Sequence, residues 1–455
     1  LLTENSGASG AQIITPDHHS ISRQDISVAA LKVLTRLHEG GFQGYLVGGG
    51  VRDLLLGMHP KDFDVATDAT PEQVKSLFRN CRLIGRRFRL AHVIFGRETI
   101  EVATFRGEES PEDDDDEHRR IDESGRLLKD NIYGNIEQDV WRRDFTCNAL
   151  YYNSADHSIR DFVGGLSDIE HRLLRLIGDP QVRYREDPVR MLRAARFSAK
   201  LWFAIEASSR APIQELSPLL NNVPPARLFD ETLKLFLTGH GETSLKTLQE
   251  LNLLHSLLPP VAEFLAANPH SPYARIMRLG LANTDQRVID DRPVSPVFLF
   301  IVLLLGCVEQ RFAAHRAEGL PVSLAHERAV DGVLAQLLVR VGIPKRFTLP
   351  LKEVLVLIRR LRQGGSKRAN QALSHPRFRM AYDVIELESM VGQLDPEVVE
   401  FWATVQTLDG EQRQAYIREH TPGDARHDAA TEESSDAPTD KPNRRRRRRP
   451  RRREG

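Results

Sequence analysis

The pattern of apolar and polar positions changes period once along this chain, near Gly165. Before that point, short apolar runs alternate with helical stretches. Ser27–Leu37, "SVAALKVLTRL", repeats apolar residues at helical spacing, and "GYLVGGG" then reads as a buried strand ending in glycines. "DFDVA", "RLIG", "HVIFG" and "TIEVATFR" are strand-like, and "PEQVKSLFRNC" after Thr70 is helical. Such alternation predicts an α/β domain. Beyond Gly165 the strand signals fade. "DPVRMLRAARFSAKL", "PPARLFDETLKLFL", "TSLKTLQELNLLHSLL", "AVDGVLAQLLVRV", "LKEVLVLIRRLRQ" and "FRMAYDVIELESMV" place apolar residues at i, i+3 and i+4. Residues 166 to about 418 therefore read as helical, punctuated at Pro224–Pro225, Pro344 and Gly364–Gly365. No fixed period recurs, which disfavours a solenoid.

Three segments lack any apolar period. Residues 1–22 are polar and mixed and read as a flexible arm. Glu108–Glu117, "EESPEDDDDE", holds eight acids in ten residues, so a solvated, disordered loop is expected over about 107–125. Residues 419–455 are first acidic and Ser/Thr/Pro-rich and then end in "RRRRRRPRRR", and are expected to be disordered.

Composition sharpens this picture in three places. Apolar residues make up 40% of the 455 and charged ones 28%, enough for a sizeable core. Lys+Arg and Asp+Glu are both 63, yet residues 441–455 carry Lys441, nine arginines and only Glu454. The neutral total thus hides a strongly basic end on an acidic remainder. Three cysteines, with no CxxC spacing, make no disulfide framework and suit a reducing cytosol. The longest apolar stretch, Val297–Val308, is too short to span a bilayer and reads as a buried core helix. No signal-peptide pattern opens the chain, whose first residue is Leu.

Candidate chemistry concentrates between Leu46 and Val65. Consecutive Gly48, Gly49 and Gly50 have no Cβ to keep a phosphate from the backbone, and the amides that follow them open a helix. Arg52 can add a bidentate clamp on phosphate oxygens. Taken alone, these glycines also fit a tight strand-to-helix turn. Asp62 and Asp64 lie two apart in an extended segment, so both carboxylates point the same way. Such a pair suits a hard divalent cation shared with substrate phosphates, although a lone DxD is more often a solvated strand end. Glycines and carboxylates together describe a metal–triphosphate site.

"GGGVRD" followed by "DFDV" resembles the nucleotidyltransferase superfamily of DNA polymerase β type. More narrowly, the chain resembles the class II tRNA nucleotidyltransferase and bacterial poly(A) polymerase family. "RRDFTCNAL" at Arg142–Leu150, "YREDPVRMLRAARFSAKL" at Tyr184–Leu201 and "VPPARLFDE" at Val223–Glu231 carry the resemblance further. It covers roughly residues 25–240. It implies an α+β fold: a polymerase-β-like nucleotidyltransferase head (23–165), a helical neck that meets nucleotide and RNA (166–240), a helical RNA-binding body (241–418) and a basic tail. It also implies catalysis at Asp62, Asp64 and Asp144, with two Mg2+ ions on Asp62 and Asp64. Gly49, Gly50, Arg52 and Arg143 are then expected to hold the triphosphate of ATP. Asp187 and Arg190 would meet the base edge, and Arg193 would favour phosphate. The helix carrying "EDPVRMLRAAR" is expected to present Asp187, Arg190, Arg193 and Arg196; an ion-pair ladder is the bland alternative. Asp144 could instead hold Arg143 and Arg52, and Glu101 in "TIEVATF" is a rival third carboxylate.

The activity implied is template-independent addition of AMP to RNA 3′ ends. The alternatives are a CCA-adding tRNA nucleotidyltransferase, with the same chemistry, and a noncatalytic RNA-binding protein. The arm, the "VPPARLFDE" element and the basic tail favour poly(A) addition. Arg444, Arg445, Arg446, Arg447, Arg448, Arg449, Arg451, Arg452 and Arg453 are expected to neutralise RNA phosphates. RNA-decay proteins are the further partners of this reading, with a cytoplasmic monomer and no membrane contact. His427–Asp428 lies in the polar tail, which excludes an HD-type phosphohydrolase centre.

Overall fold

The computed structural model describes residues 10–85, 89–107, 132–364 and 369–420, and the backbone of a short hairpin, Arg119–Ile121 with Leu127–Asp130. Most of the acidic segment expected to be a loop, and the arginines of the tail, lie outside the described residues.

The head is built on β1 (Gln12–Ile14), β2 (Gly44–Val47), β3 (Asp64–Thr67), β4 (Cys81–Ile84), β5 (Leu90–Phe95), β6 (Glu98–Thr104), β9 (Leu150–Tyr152) and β10 (Ile159–Asp161), the hairpin supplying β7 and β8. Their order in the sheet is β1-β10-β9-β2-β3-β6-β5-β4. Within this sheet, among the described residues, β3 and β6 pair in parallel and the other neighbours are antiparallel. β1 corrects the expectation of a free arm. Gln12–Ile14 pair with Ile159–Asp161, because the exposed outer edge of β10 offers unmet backbone groups that an extended segment can fill.

α1 (Val28–Glu39) follows a Ser27 side chain that accepts the Ala30 N–H. Its Ala30, Val33, Leu34 and Leu37 are buried, and it packs on β2, β3 and β6. On the sheet, Tyr45, Val47, Ala66, Phe105, Val140, Tyr151 and Ile177 form one apolar cluster. This cluster is the rigid floor beneath the strand ends that carry the candidate site. α2 (Gly49–Leu55), α3 (Pro71–Leu77), α4 (Ile136–Arg142) and α5 (Gly165–Glu170) complete the head.

From α6 (Pro180–Glu186) and α7 (Val189–Leu201) onward helices dominate, and a two-residue parallel pair, Leu173–Leu174 with Ala204–Ile205, brackets those two helices. The stretch read as a core helix belongs to a longer one, Pro296–Ala317. By length and composition that helix could cross a membrane, but Leu299–Val308 are all buried against protein. Close approach there needs glycine: a Cβ on Gly306 would meet the Phe264 ring at 2.4 Å. A first compact unit comprises residues up to 355 together with 390–393, and a second comprises 356–389 and 394 onward. The second has its own core. Trp402 packs on Phe378 and Phe401 and donates its indole N–H to the Leu361 carbonyl at 2.8 Å, and buried Glu388 pairs with Arg362.

Candidate active site

Gly48 ends β2 with φ 72°, a left-handed turn that costs a residue with a Cβ about 1 kcal/mol or more. That turn swings the chain from the sheet into α2. A Cβ on Gly48 would lie 3.7 Å from Arg143 Nη1 and 3.8 Å from Asp64 Oδ2, so the turn borders both side chains. Gly48 and Gly49 line a cavity of about 520 Å3, together with Asp64, Glu101, Arg143, Asp144, Asn148, Asp187, Arg190, Arg193 and Arg227. Gly50, expected to touch nucleotide, is buried outside the cavity lining, and a Cβ added there would meet the Asp62 carbonyl at 3.4 Å and the Phe63 ring. Asp62 is exposed just ahead of β3 and does not line the cavity in this conformation, whereas Asp64 does.

One wall of the cavity is acidic. Parallel pairing of β3 with β6 sets Glu101 directly beside Asp64. Asp64 makes no ion pair within 4.0 Å among the described residues. It opens to the cavity, but the surrounding walls still desolvate its carboxylate. That burial, with the charges of Glu101 and Asp62, pushes its pKa up to about 6 against the pull of Arg143. The neighbour of Glu101 is His92, at 3.5 Å.

The opposite wall pairs each carboxylate with an arginine. Asp139 on α4 accepts from Arg143 Nη2 (3.0 Å) and from the Tyr151 hydroxyl (2.5 Å), and Arg143 Nε donates to that hydroxyl oxygen (2.7 Å). Burial alone would raise the Asp139 pKa; Arg143, Tyr151 and the Arg106 N–H together lower it. The guanidinium also stacks 4.9 Å from the Tyr151 ring centroid, so it is held from two sides with Nη1 toward Gly48. Asp144 accepts from Arg193 Nε (2.7 Å), Asn148 Nδ2 (3.1 Å) and the Phe145 N–H (2.8 Å). Against burial, those partners bring its pKa down to about 2. Asp187 takes Arg227 in a two-pronged pair, Nη1 to Oδ1 at 2.9 Å and Nη2 to Oδ2 at 2.7 Å.

Three expectations change here. Asp144 was expected to be the third carboxylate of the catalytic set. Its oxygens are taken up by Arg193 and Asn148, and Glu101 is the carboxylate beside Asp64. Asp187 is not on the arginine helix. It is the extended C-cap of α6 and precedes Pro188, whose ring disfavours helix at the residue before it. Arg52, expected as a free clamp, is buried with Nε and Nη2 on Asp53 Oδ1 (2.8 and 2.5 Å) and Nη1 on Asn148 Oδ1 (2.5 Å). It braces the wall and still lines the cavity. Arg190 faces the cavity while bonding Glu186 Oε2 at 2.6 Å.

Sequence reasoning missed Asp139, Asn148, Tyr151 and Arg227 as site residues. Asp139 had a local signal, four residues before Arg143 on a helical stretch. Arg227 lay within the "VPPARLFDE" motif without being singled out, and Tyr151 had no signal, since it arrives from β9.

A mixed sheet presenting adjacent carboxylates beside a glycine turn, and facing an arginine-lined wall, defines a nucleotidyltransferase. The chain matches the poly A polymerase head domain over residues 44–175, the probable RNA and SrmB-binding site of polymerase A over 202–265, and the polymerase A arginine-rich C-terminus over 318–453. It is 49% identical over 380 residues to poly(A) polymerase I of Escherichia coli O6:H1, covering 83% of this chain and 82% of that protein. It is 35% identical over 229 residues to a CCA-adding enzyme of Lactobacillus helveticus, covering 50% of this chain and 55% of that protein. Its fold matches that of a tRNA nucleotidyltransferase solved with a primer tRNA and an incoming ATP analog, at TM-score 0.55 and 21% identity over 82% of this chain and 98% of that one. The chain belongs to the bacterial poly(A) polymerase family.

Proposed function

We propose that this protein extends RNA 3′ ends without a template, transferring AMP from ATP to the 3′-hydroxyl and releasing pyrophosphate. The observation that carries the reading is the cavity itself. Asp64 stands on one side with no ion pair among the described residues, next to Glu101, and arginines locked by their own carboxylates stand on the other.

The acidic wall fits Mg2+. Asp64, whose pKa is raised by burial and by the neighbouring charge of Glu101, favours a hard cation beside it. Among the described residues no group of three His, Cys, Asp or Glu side chains is placed to hold a metal ion, so one or two carboxylates would bind it and phosphates and water would supply the other ligands, as is usual for Mg2+. Asp62 and Asp64 would hold the ions, Asp62 after turning in from its place just outside the lining; bound there, Mg2+ would lower the pKa of the 3′-hydroxyl and neutralise the departing pyrophosphate. The chain's own residues do the positioning. Gly48 and Gly49 let the triphosphate approach the backbone, and Arg143 presents Nη1 to it from a fixed stack on Tyr151. Arg193, tied to Asp144, adds a second cation preorganised for charge on the phosphates. On the base side, Asp187 offers acceptor lone pairs and Arg190 donors. Adenine presents a donor at N6 and an acceptor at N1, and the two-pronged pair with Arg227 fixes the Asp187 carboxylate that would face them.

The arginines of the tail add affinity for any RNA through counterion release. The reading places the enzyme in the cytoplasm, where RNA and ATP meet, with RNA-decay proteins as its neighbours. CCA addition is the second reading, favoured only by the shorter match to CCA-adding enzymes. The test is to supply a generic RNA, and a tRNA lacking its CCA end, with each nucleotide separately and with all four, and to sequence the 3′ ends. Runs of A on both RNAs are expected. CCA ends on the tRNA with no extension of the other RNA would overturn the poly(A) assignment.

A further inference from the structure

Arg183 lies on α6, outside the cavity lining, yet it spans the two halves of the site. Its side chain is only 12% exposed. Nη2 donates to the backbone carbonyls of Arg142 (3.1 Å) and Arg143 (2.6 Å). Those carbonyls end α4, where unmet C=O groups gather partial negative charge, so a guanidinium there is a charge-assisted staple. Nη1 pairs with Glu186 Oε2 at 2.6 Å, and the same oxygen takes Arg190 Nη1 at 2.6 Å. Arg190 Nη1 also reaches the Arg183 carbonyl at 2.8 Å. An unbroken polar chain therefore runs from Arg190, through Glu186 and Arg183, to the backbone that aims Arg143 at Gly48 and Asp64.

The stapled backbone is the bend of the site. Arg143 leaves helical geometry there, at φ −70° and ψ 167°, and the next residue, Asp144, meets Arg193. A lysine cannot replace the staple. Its single ammonium is a point charge, without the planar fork that reaches two carbonyls on one side and Glu186 on the other.

We propose that Arg183 is a positioning residue for adenylate transfer, fixing the register between base-side Arg190 and phosphate-side Arg143. The proposal rests on the functional reading above. A misregister of about 1 Å lowers the rate of an oriented reaction by up to about 10²-fold, with a smaller effect on ground-state binding. Full-length Arg183→Lys and Arg183→Ala proteins should be assayed with ATP varied on a generic RNA, with circular dichroism melts alongside. In both, kcat is expected to fall about 10- to 10²-fold while KM for ATP moves less than about threefold. Ethylguanidinium should restore part of the Arg183→Ala rate. In an Arg143→Lys background, Arg183→Lys should cost less than it does alone, because both act through one guanidinium. Wild-type kcat in Arg183→Lys, or a loss that only tracks the unfolded fraction, overturns the proposal. Effects that multiply with those of Arg143→Lys overturn it too. Wild-type protein that incorporates no AMP from any nucleotide mixture overturns the functional reading itself, a result distinct from all of these.

Discussion

Two walls of one cavity carry the same residue type in opposite electrostatic states. On the sheet side, Asp64 and Glu101 repel each other and no arginine is bonded to Asp64; on the helix side, Asp139, Asp144 and Asp187 each hold an arginine. The pKa values move apart accordingly, up to about 6 for Asp64 and down to about 2 for Asp144. The difference separates carboxylates that await a cation from carboxylates that already have one. The first kind suits chemistry, and the second kind suits alignment.

The sharpest way to break this contrast is to remove the waiting charge. Asp64→Asn should abolish AMP incorporation by about 10³-fold or more while the fold persists, since the amide keeps the shape and loses the anionic ligand. Stability should move the other way. A pKa raised in the folded state stabilises at low pH, and the benefit is lost as pH rises through about 6. Asp64→Asn should therefore melt higher than wild type above pH 6, by no more than about 1 kcal/mol given its open side, with the gap closing below the ordinary carboxylate range. Melts at pH 4 and pH 8 alongside incorporation assays test both halves; strong residual incorporation would sink the metal role of Asp64.

Asp144→Asn probes the paired wall. Uncoupling Arg193 should destabilise the fold by about 1–2 kcal/mol near neutral pH, because a partly buried guanidinium loses its counter-ion. Here the pKa is lowered, so the contribution is present above the ordinary value of 3.8 and lost as pH falls toward about 2. Activity should drop about 10²-fold with an unchanged Mg2+ midpoint. A large rise in the Mg2+ requirement would return Asp144 to the metal set and erase the contrast. Within the same wall, Arg227→Ala should raise KM for ATP about tenfold and loosen the choice of base, measured by competition among the four nucleotides. Unchanged base selection would separate the Asp187–Arg227 pair from recognition. The smallest effect belongs outside both walls. Deleting Lys441–Gly455 should leave kcat at saturating RNA intact and flatten the slope of log K against log salt, as fewer counterions are released. An unchanged slope would assign the tail another role.

Some of this could be read from the chain alone, because it is local. The alternating strands of the head, the helical run after Gly165 and the GGG turn follow from neighbours a few residues apart. Asp62, Asp64, Arg143 and Asp187 stood out in short motifs for the same reason. The "EDP" break at Asp187 was also a local signal, but helical spacing outweighed it in the reading, so Asp187 was assigned to the wrong element. Strand β1 escaped notice because three residues without apolar alternation become a strand only when an open edge accepts them.

The tertiary structure alone decided which carboxylates are free. Asp64 meets Glu101 across 37 residues of sequence because β3 and β6 pair in parallel; the strand-like "TIEVATF" made Glu101 a rival to Asp144, and only that pairing decides which of them stands beside Asp64. Arg193 reaches Asp144 across 49 residues, and Arg227 reaches Asp187 across 40. Sequence determined that acids and arginines would be abundant around the glycine turn. Which acid neutralises which arginine depends on distances of a few ångströms, over which the Coulomb interaction in a desolvated cavity changes by several kcal/mol, and those distances exist only once the sheet and the helices have packed.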